Sequence, residues 1–358
     1  MTLSDYINNI SPLDASAMEM MKQRQQKLAK PPGSLGKLED ISIRLSGITG
    51  SVRNEIKKCR VIVCCADNGV TAEGVSSAPV SVTAAQAVNM TKHLTGMSSI
   101  AAFFGDEIEV VDVGIATPYD CDKIICQKVM NGTGNIAAEP AMTRSQAIRA
   151  IMTGIDRVKA AEKDGVDIIG AGEMGIGNTT TSTAVLSALT KTDPETITGR
   201  GGGLTDEAFF QKKEVIKRAL RLHDPDPCDP VDVISKVGGL DIAAMCGIFL
   251  GAAYYRIPAV IDGFISAVSA LLAVRMAPLC AGYLFPSHAS VEPGYAIALK
   301  ELGLSPYLQL NMRLGEGSGV PFAFRIIQGA CAAAADMALF GSESAIDDGY
   351  LDKIRKSL

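Results

Sequence analysis

The sequence predicts an α/β protein with a doubly wound, mostly parallel sheet and a smaller helical domain made from the N- and C-terminal segments. Three observations predict this fold. Short apolar runs recur through the middle of the chain, stretches of helical length separate them, and both chain ends carry helical patterns without strands. The predicted boundaries place residues 1–58 and 320–358 in the small helical domain and residues 59–319 in the large α/β domain.

The N-terminal segment is predicted to be helical. The turn SPLD at residues 11–14 is typical of a helix start and precedes a helix over residues 15–28. The loop KPPGSLG at residues 30–36 ends that helix, because proline and glycine disfavour helix interiors. A second helix is predicted from Lys37.

The middle of the chain alternates between two patterns. The apolar runs are VIVCCAD (61–67), IEVVDVG (108–114), VDIIGAGE (166–173) and AVIDG (259–263). The helical candidates around them are residues 82–104, 143–163, 179–190, 205–221 and 239–254. Continuous apolar runs separated by helices are typical of parallel strands buried on both faces, so the pattern predicts a Rossmann-like sheet.

The last third of the chain is predicted to be rich in loops as far as residue 319. Within it, the apolar stretch over residues 257–285 favours a buried strand and helix, because Asp262 and Arg275 interrupt it and disfavour a membrane span. The stretch over residues 322–340 then predicts a helix rich in small residues.

Each of the four predicted strands carries an acidic residue at or near its end. These residues are Asp67, Asp112, Glu173 and Asp262. Ligands of open parallel sheets bind at the carboxyl ends of the strands, so these carboxylates are candidates for binding hydroxyls or a developing positive charge. The alternative is that each acid only caps the turn that follows its strand.

Charge and composition limit the function classes. The 358-residue chain has a formal net charge of −5 and 47% hydrophobic residues, without the clustered Lys and Arg that nucleic-acid binding requires. The start MTLSDYINNI lacks the features of a signal peptide. Nine cysteines without a CxxC pair and three widely separated histidines favour reduced thiols and no metal site. We therefore expect a cytoplasmic protein that binds neither nucleic acid nor membrane.

The strongest local signal is GAGEMGIGNTTTSTA at residues 170–184, which follows a predicted strand and opens a predicted helix. Glycines allow a ligand to approach the backbone closely, and the N–H groups at a helix start bind anions, so a phosphate fits here. Gly170, Gly172 and Gly175 also satisfy G-x-G-x-x-G, which alone is a weak sign of dinucleotide binding. The alternative is a tight turn with a threonine-rich cap.

Two further glycine-rich segments are candidates. GRGGGLTDE at residues 199–207 precedes Lys212 and Lys213, a combination that favours a second anion site or, alternatively, a flexible loop. RLGEGSG at residues 313–319 places Glu316 between glycines, where a carboxylate is either poised at a ligand or solvated in an ordinary loop.

Taken together, these segments resemble one family, the nicotinate-nucleotide–dimethylbenzimidazole phosphoribosyltransferases. The resemblance rests on KPPGSLGKLE (30–39), CADNGV (65–70), VTAAQAVNM (82–90), VVDVGI (110–115), NGTGNIAAEPAMTR (131–144), GEMGIGNTT (172–180), VGGLDIAAM (237–245), DGFISA (262–267), SHAS (287–290) and LNMRLGEGSG (310–319). These stretches span nearly the whole chain.

The resemblance implies a reaction and a set of residues. Nicotinate mononucleotide gives its phosphoribosyl group to 5,6-dimethylbenzimidazole or a related base, which yields the α-ribotide of the cobamide lower ligand, and neither cofactor nor metal is needed. Glu316 is implied to be the general base. The residues implied to contact the nucleotide are Glu173, Gly175, Asn178, Thr179, Gly201, Gly202, Lys212, Asp262 and Ser290, and those implied for the base pocket are Gln86, Met174, Leu314 and Ala78. The resemblance also implies a dimer, formed with a second copy or with a paralogue.

Two positions depart from the family pattern. The family carries serine where this chain has Ala78, and leucine where it has Met174. Both changes fall on the implied base pocket, so a base such as a phenol or a purine is an alternative acceptor, and a nucleotide-binding subunit is an alternative role. A nicotinamide-dependent dehydrogenase is the rival from another enzyme class. It is disfavoured because GAGEMG follows the third predicted strand and not the first.

Overall fold

One parallel sheet forms the centre of the larger unit of the protein. The computed structural model describes residues 1–341, 344, 346 and 348–351. In this part of the chain the strands are β1 (Cys59–Ala66), β2 (Glu107–Gly114), β3 (Ile125–Cys126), β4 (Ile168–Met174), β5 (Ala259–Ile261) and β6 (Leu284–Pro286). Their order is β3-β2-β1-β4-β5-β6, and each neighbouring pair is parallel.

This strand order confirms the predicted doubly wound fold. The chain moves outward from β1 through β2 and β3, returns to β4 beside β1, and continues through β5 and β6. Ligands of such sheets bind outside the carboxyl ends of the strands where the direction of winding reverses. That point lies between β1 and β4. The short strands β3 and β6 were not predicted.

Helices connect and cover the strands. In the described residues they are α1 (Leu3–Asn8), α2 (Ala15–Lys27), α3 (Lys37–Thr49), α4 (Ser81–Met90), α5 (Gly96–Phe104), α6 (Arg144–Lys163), α7 (Asn178–Thr190), α8 (Pro194–Ile197), α9 (Asp206–His223), α10 (Pro230–Val237), α11 (Leu240–Tyr255), α12 (Phe264–Met276), α13 (Pro293–Leu302) and α14 (Val320–Asp336). The prediction of loops up to residue 319 is wrong at α13, where Pro293 begins a regular helix.

The predicted single helix over residues 82–104 is also wrong. It is two helices, α4 and α5, because the backbone of His93 has a positive φ of 59° and Thr95 starts a new helix. The side chains of Thr95 and Ser98 form a reciprocal capping box at that start. The apolar periodicity continues across the break, so the pattern alone did not reveal it. The break places the N-terminus of α5 beside the loop that carries Glu316.

Close helix packing beside the sheet depends on glycines. A Cβ at Gly154 of α6 would overlap the carbonyl oxygen of Ala244 in α11, and a Cβ at Gly247 of α11 would overlap that of Ile151 in α6. The two backbones therefore touch directly. Such contact fixes α11, whose first-turn residue Asp241 bonds to Asn178 of the candidate site described below.

The chain divides into two compact units. The larger contains residues 1–11 and 58–323, and the smaller contains residues 12–57 and the described residues from 324 onward. The first helix groups with the larger unit because Tyr6 packs against Tyr254 and Tyr255 of α11. The predicted domains, 1–58 with 320–358 and 59–319, stay a prediction. Part of their C-terminal segment, residues 342, 343, 345, 347 and 352–358, lies outside the described residues.

The smaller unit is built on buried contacts within itself. Gln25 of α2 donates to Ser42 of α3 at 2.9 Å, and Arg24 donates to the carbonyl oxygens of Ala334 and Ala335 near the end of α14.

Across all the described residues, no helix is both long and apolar enough to cross a membrane.

Candidate active site

A single cavity lies at the carboxyl ends of β4 and β5. All of the residues predicted for substrate contact and catalysis line it, except Lys212 and Gln86. The predicted residues on its wall are Ala78, Glu173, Met174, Gly175, Asn178, Thr179, Gly201, Gly202, Asp262, Ser290, Leu314 and Glu316. The fold therefore brings together positions that are far apart in the sequence, while their individual roles stay predictions.

Glu316 is held in one buried position. Its side chain lies in a loop in which Gly315, Glu316 and Gly317 all have positive φ, of 84°, 64° and 93°. Glutamate adopts such a backbone conformation only under constraint from its surroundings. The residue is 5% exposed, so the alternative of an ordinary solvated loop glutamate is wrong.

Two donors orient the Glu316 carboxylate. The backbone N–H of Met97, in the first turn of α5, donates to Oε2 at 3.1 Å, and Gln86 Nε2 donates to Oε1 at 3.4 Å. Gln86 is thus a direct neighbour of Glu316, although it does not line the cavity. A carboxylate at a helix N-terminus also gains from the helix dipole.

Glu173 belongs to a buried polar chain. It accepts the backbone N–H of Glu316 at 3.2 Å on Oε1 and the amide of Asn178 on Oε2. The same Asn178 nitrogen donates to Asp241 Oδ2 at 2.9 Å. Burial and the charge of Asp241 together raise the pKa of the Glu173 carboxyl to about 8, against the hydrogen bonds from Asn178 and the Glu316 N–H. Burial raises the pKa of Asp241 to about 6, against the hydrogen bond from Asn178.

The raised pKa of Glu173 makes the stability of the protein depend on pH. The folded protein keeps a proton on Glu173 that the unfolded chain, with a pKa near 4.5, releases earlier. The stability that this proton confers is complete below that value and is lost as the pH rises through about 8. Between about pH 5 and pH 8.5 we expect wild type to lose stability relative to Glu173→Gln, so that the difference in free energy of unfolding shifts in favour of the variant by roughly 4 kcal/mol.

The measurement is chemical denaturation of both proteins across that pH range. Glu19→Gln removes an exposed carboxylate of α2 and serves as the control for the loss of a carboxylate as such. A constant difference between Glu173→Gln and wild type would show that Glu173 ionises normally in the folded protein.

Asp262, which follows β5, binds the backbone of the loop that carries Glu316. It accepts the backbone N–H of Gly317 at 3.2 Å and that of Gly319 at 2.7 Å, and its Oδ1 lies 3.7 Å from His288 Nδ1. Burial raises the pKa of the Asp262 carboxyl, although His288 and these N–H groups oppose the rise. Its contacts therefore orient the loop, and its position on the cavity wall also leaves it near a bound ligand.

The other two strand-end acids do not reach the cavity. Asp67 accepts the backbone N–H of Ala116 at 2.8 Å, and Asp112 accepts the N–H of Ile115 and the hydroxyl of Tyr119. The expectation that all four carboxylates face a ligand is wrong for these two. Asp112 caps the turn after its own strand, as in the capping alternative, whereas Asp67, which follows β1, fixes the turn after β2.

The glycine-rich turns and Lys212 form one wall together. Thr179 lies in the first turn of α7, whose N-cap Gly177 offers no side-chain cap. Lys212 of α9 is fully buried behind this wall, where Nζ donates to Thr179 Oγ1 at 2.8 Å and to the carbonyl oxygen of Gly199 at 3.0 Å. Burial lowers the pKa of the Lys212 ammonium to about 8, against the attraction of Glu292.

Several residues of the site were not predicted individually. Asp241, His288, Glu292 and Arg313 carry charge or a titratable ring in or beside the cavity. A signal existed for Asp241, His288 and Arg313, because each lies in a stretch that carries the family resemblance. Within the part of the chain that the structure describes, no group of three or more His, Cys, Asp or Glu side chains is placed to hold a metal ion.

Comparison with known proteins identifies close relatives. A family model described as phosphoribosyltransferase matches residues 10–345. A Clostridium perfringens protein named nicotinate-nucleotide–dimethylbenzimidazole phosphoribosyltransferase is 50% identical over 353 residues, which cover 99% of this chain and 98% of that protein. A Ruminiclostridium cellulolyticum protein of the same name is 48% identical, over 95% of this chain and 97% of that one.

A solved structure agrees with the fold. The crystal structure of the nicotinate-nucleotide–dimethylbenzimidazole phosphoribosyltransferase of Thermus thermophilus superposes with a TM-score of 0.88 at 36% sequence identity. The match covers 94% of this chain and 100% of that chain.

Proposed function

This chain belongs to the nicotinate-nucleotide–dimethylbenzimidazole phosphoribosyltransferase family, and we propose that it transfers the phosphoribosyl group of nicotinate mononucleotide to 5,6-dimethylbenzimidazole or a related aromatic base. The products are nicotinate and the α-ribotide that becomes the lower ligand of a cobamide. The observation that carries the proposal is the placement of a buried, oriented carboxylate, Glu316, in the same cavity as the glycine-rich wall backed by Lys212.

The chemistry needs positioning and one proton acceptor. A ring nitrogen of the base attacks C1′ of the ribose, the bond from C1′ to the pyridinium nitrogen breaks, and its electron pair leaves with nicotinate. The configuration at C1′ inverts, and the attacking base loses its N–H proton to Glu316. Since the leaving group is already positively charged, holding the two reactants in line and removing this proton supply the rate acceleration.

The nucleotide end of the cavity fits a phosphate. Gly201, Gly202 and Thr179 line it, and the ammonium of Lys212 lies just behind. We assign the phosphate to this wall, where backbone donors, an uncapped helix N-terminus and a buried cation favour an anion. Glu173, Asn178, Gly175, Asp262 and Ser290 then surround the ribose.

The base is assigned to the opposite end, beside Glu316. We assign Leu314, Met174 and Ala78, which line the cavity, to this end, and Gln86 donates to the Glu316 carboxylate. Ala78 provides no hydroxyl, but Ser76 and Ser77 line the same cavity. The names of the relatives make dimethylbenzimidazole the first acceptor to assay, and no observation favours a phenol or a purine.

Replacing Ala78 by serine is expected to change acceptor choice. A hydroxyl at this position would add an edge contact to a ring nitrogen, and we expect relative kcat/KM among bases to shift by roughly 10-fold, the effect of one hydrogen bond. Competition assays with equimolar dimethylbenzimidazole, benzimidazole, adenine and p-cresol measure the ratio. Wild type is expected to accept several of these bases. If Ala78→Ser leaves every ratio unchanged, the residue does not face the base.

Chromatography of the products tests the proposed function. Wild-type protein with nicotinate mononucleotide and dimethylbenzimidazole should release nicotinate and form the α-ribotide in equal amounts, and neither product should form when the base is omitted. Absorbance of added NAD at the same time tests the dehydrogenase alternative. Failure to release nicotinate with any aromatic base would refute the proposal.

We also propose that the protein acts in the cytoplasm as a dimer, as the family resemblance implies. The partner is either a second copy or a paralogous chain. Analytical ultracentrifugation of the purified chain distinguishes these two arrangements, because only self-association gives a dimer from one chain.

A further inference from the structure

A carboxylate occupies the wall that we assign to the phosphate. Glu292 Oε1 accepts the backbone N–H of Gly201 at 3.2 Å, and both residues line the cavity. Gly201 is one of the donors that the nucleotide phosphate requires. An anion of the protein itself therefore holds a group that the substrate anion needs.

The other carboxylate oxygen of Glu292 lacks a hydrogen-bond donor. Oε2 is buried and has no hydrogen-bond partner in the described residues. It lies directly against Gly199, where an added Cβ would overlap it. Burying a carboxylate oxygen without a donor costs free energy, so this position is held mainly by Gly201 and by the charge of Lys212.

The Glu292 carboxylate has an alternative position, at the N-terminus of α13. It is the N-cap residue of α13, and its side chain does not cap that helix. A carboxylate beside the first turn of a helix is favoured both by the free backbone N–H groups and by the helix dipole. Rotation about its side-chain bonds would move the carboxylate from Gly201 toward the first turn of α13.

We propose that Glu292 is an internal competitor for the phosphate site, which holds the Gly201 N–H in the absence of nucleotide and must leave when the phosphate binds. This inference rests on the proposed function. Its consequence is selectivity: inorganic phosphate has to displace Glu292 with the contacts of one group, whereas the nucleotide also gains contacts from its ribose and pyridine ring.

Removing the competing charge should tighten anion binding. We expect Glu292→Gln and Glu292→Ala to bind inorganic phosphate and nicotinate mononucleotide each about 10-fold more tightly than wild type, because two anions no longer share one wall. Isothermal titration calorimetry with either ligand alone measures this without turnover. Glu301→Gln is the matched control, since it removes an exposed carboxylate from the same helix, where it pairs with Arg275. Its affinities should stay within about 2-fold of wild type.

A substitution at Gly199 tests the displacement of Glu292 independently. In Gly199→Ala the new methyl group would overlap the flexible end of Glu292 and push the carboxylate off the wall, so phosphate should again bind more tightly. Adding Gly199→Ala to Glu292→Ala should give no further gain, because the side chain that it displaces is already gone.

Different results separate the two proposals. Unchanged or weaker binding of both ligands by Glu292→Gln and Glu292→Ala would overturn the inference. Weaker binding of the nucleotide alone would also overturn it, because it would make Glu292 a ribose ligand. A wild-type protein that releases no nicotinate refutes the proposed function, whatever the phosphate titrations show.

Discussion

Replacing Glu316 with glutamine is expected to lower turnover by about 10²–10⁴-fold, the usual contribution of a general base. Glutamine keeps the size of the side chain and can still accept the Met97 N–H, but it cannot take the proton of the attacking base. The affinity for nicotinate mononucleotide should change little, since we assign Glu316 to the base and not to the nucleotide. Single-turnover product formation and calorimetric titration of the nucleotide measure the two quantities.

A second variant distinguishes loss of the base from a general disturbance of the site. Gln86→Leu removes the donor to Oε1 without removing the base, so it should turn over more slowly than wild type but faster than Glu316→Gln. If Glu316→Gln stays within a few-fold of wild type, Glu316 is not the base.

Replacing Lys212 with methionine is expected to weaken nicotinate mononucleotide binding by about 10–100-fold, which corresponds to a charge-assisted contact of roughly 1.5–3 kcal/mol. The ammonium is fully buried, and its bonds to Thr179 and Gly199 fix the phosphate wall. Methionine fills a similar volume without the charge. Titration with the nucleotide measures the loss.

Nicotinate riboside, which has no phosphate, is the diagnostic ligand. Its affinity should be nearly the same in wild type and Lys212→Met, whereas a general disturbance of the site would weaken both ligands equally. Lys213→Met is the matched control on the same helix, because Lys213 pairs with Glu195 at 2.9 Å and does not line the cavity. Equal losses for nucleotide and riboside would show that Lys212 does not act on the phosphate.

The hydrophobic pattern of the sequence predicted most of the longer helices and strands. Strands β1, β2, β4 and β5 follow apolar runs, and helices such as α6 and α9 follow the expected residues within one or two positions. Periodicity records which face of an element is buried, so it succeeds where elements are long. It failed at the break between α4 and α5, where capping by Thr95 and a positive φ at His93 decide the structure.

Most of the residues that line the candidate site are those that the family resemblance implies, and only two of the four strand-end acids, Glu173 and Asp262, are among them. Asp67 and Asp112 look identical to Glu173 and Asp262 in the pattern, yet they bind the turns beside them. An acidic residue after a strand is equally suited to a cap and to a ligand site. Which role it takes depends on how the loops from other strands close around it.

By itself, the sequence determined the alternation of buried strands and helices and the positions of the flexible glycine turns, because both depend on neighbouring residues. Only the tertiary structure decided which side chains meet. The N–H of Met97 reaches Glu316 across 219 residues of chain, and Asn178 joins Glu173 to Asp241. The same holds for Glu292 on the Gly201 N–H. Such contacts depend on the order of the strands and on the close packing of helices. Neither can be read from the pattern of neighbouring residues.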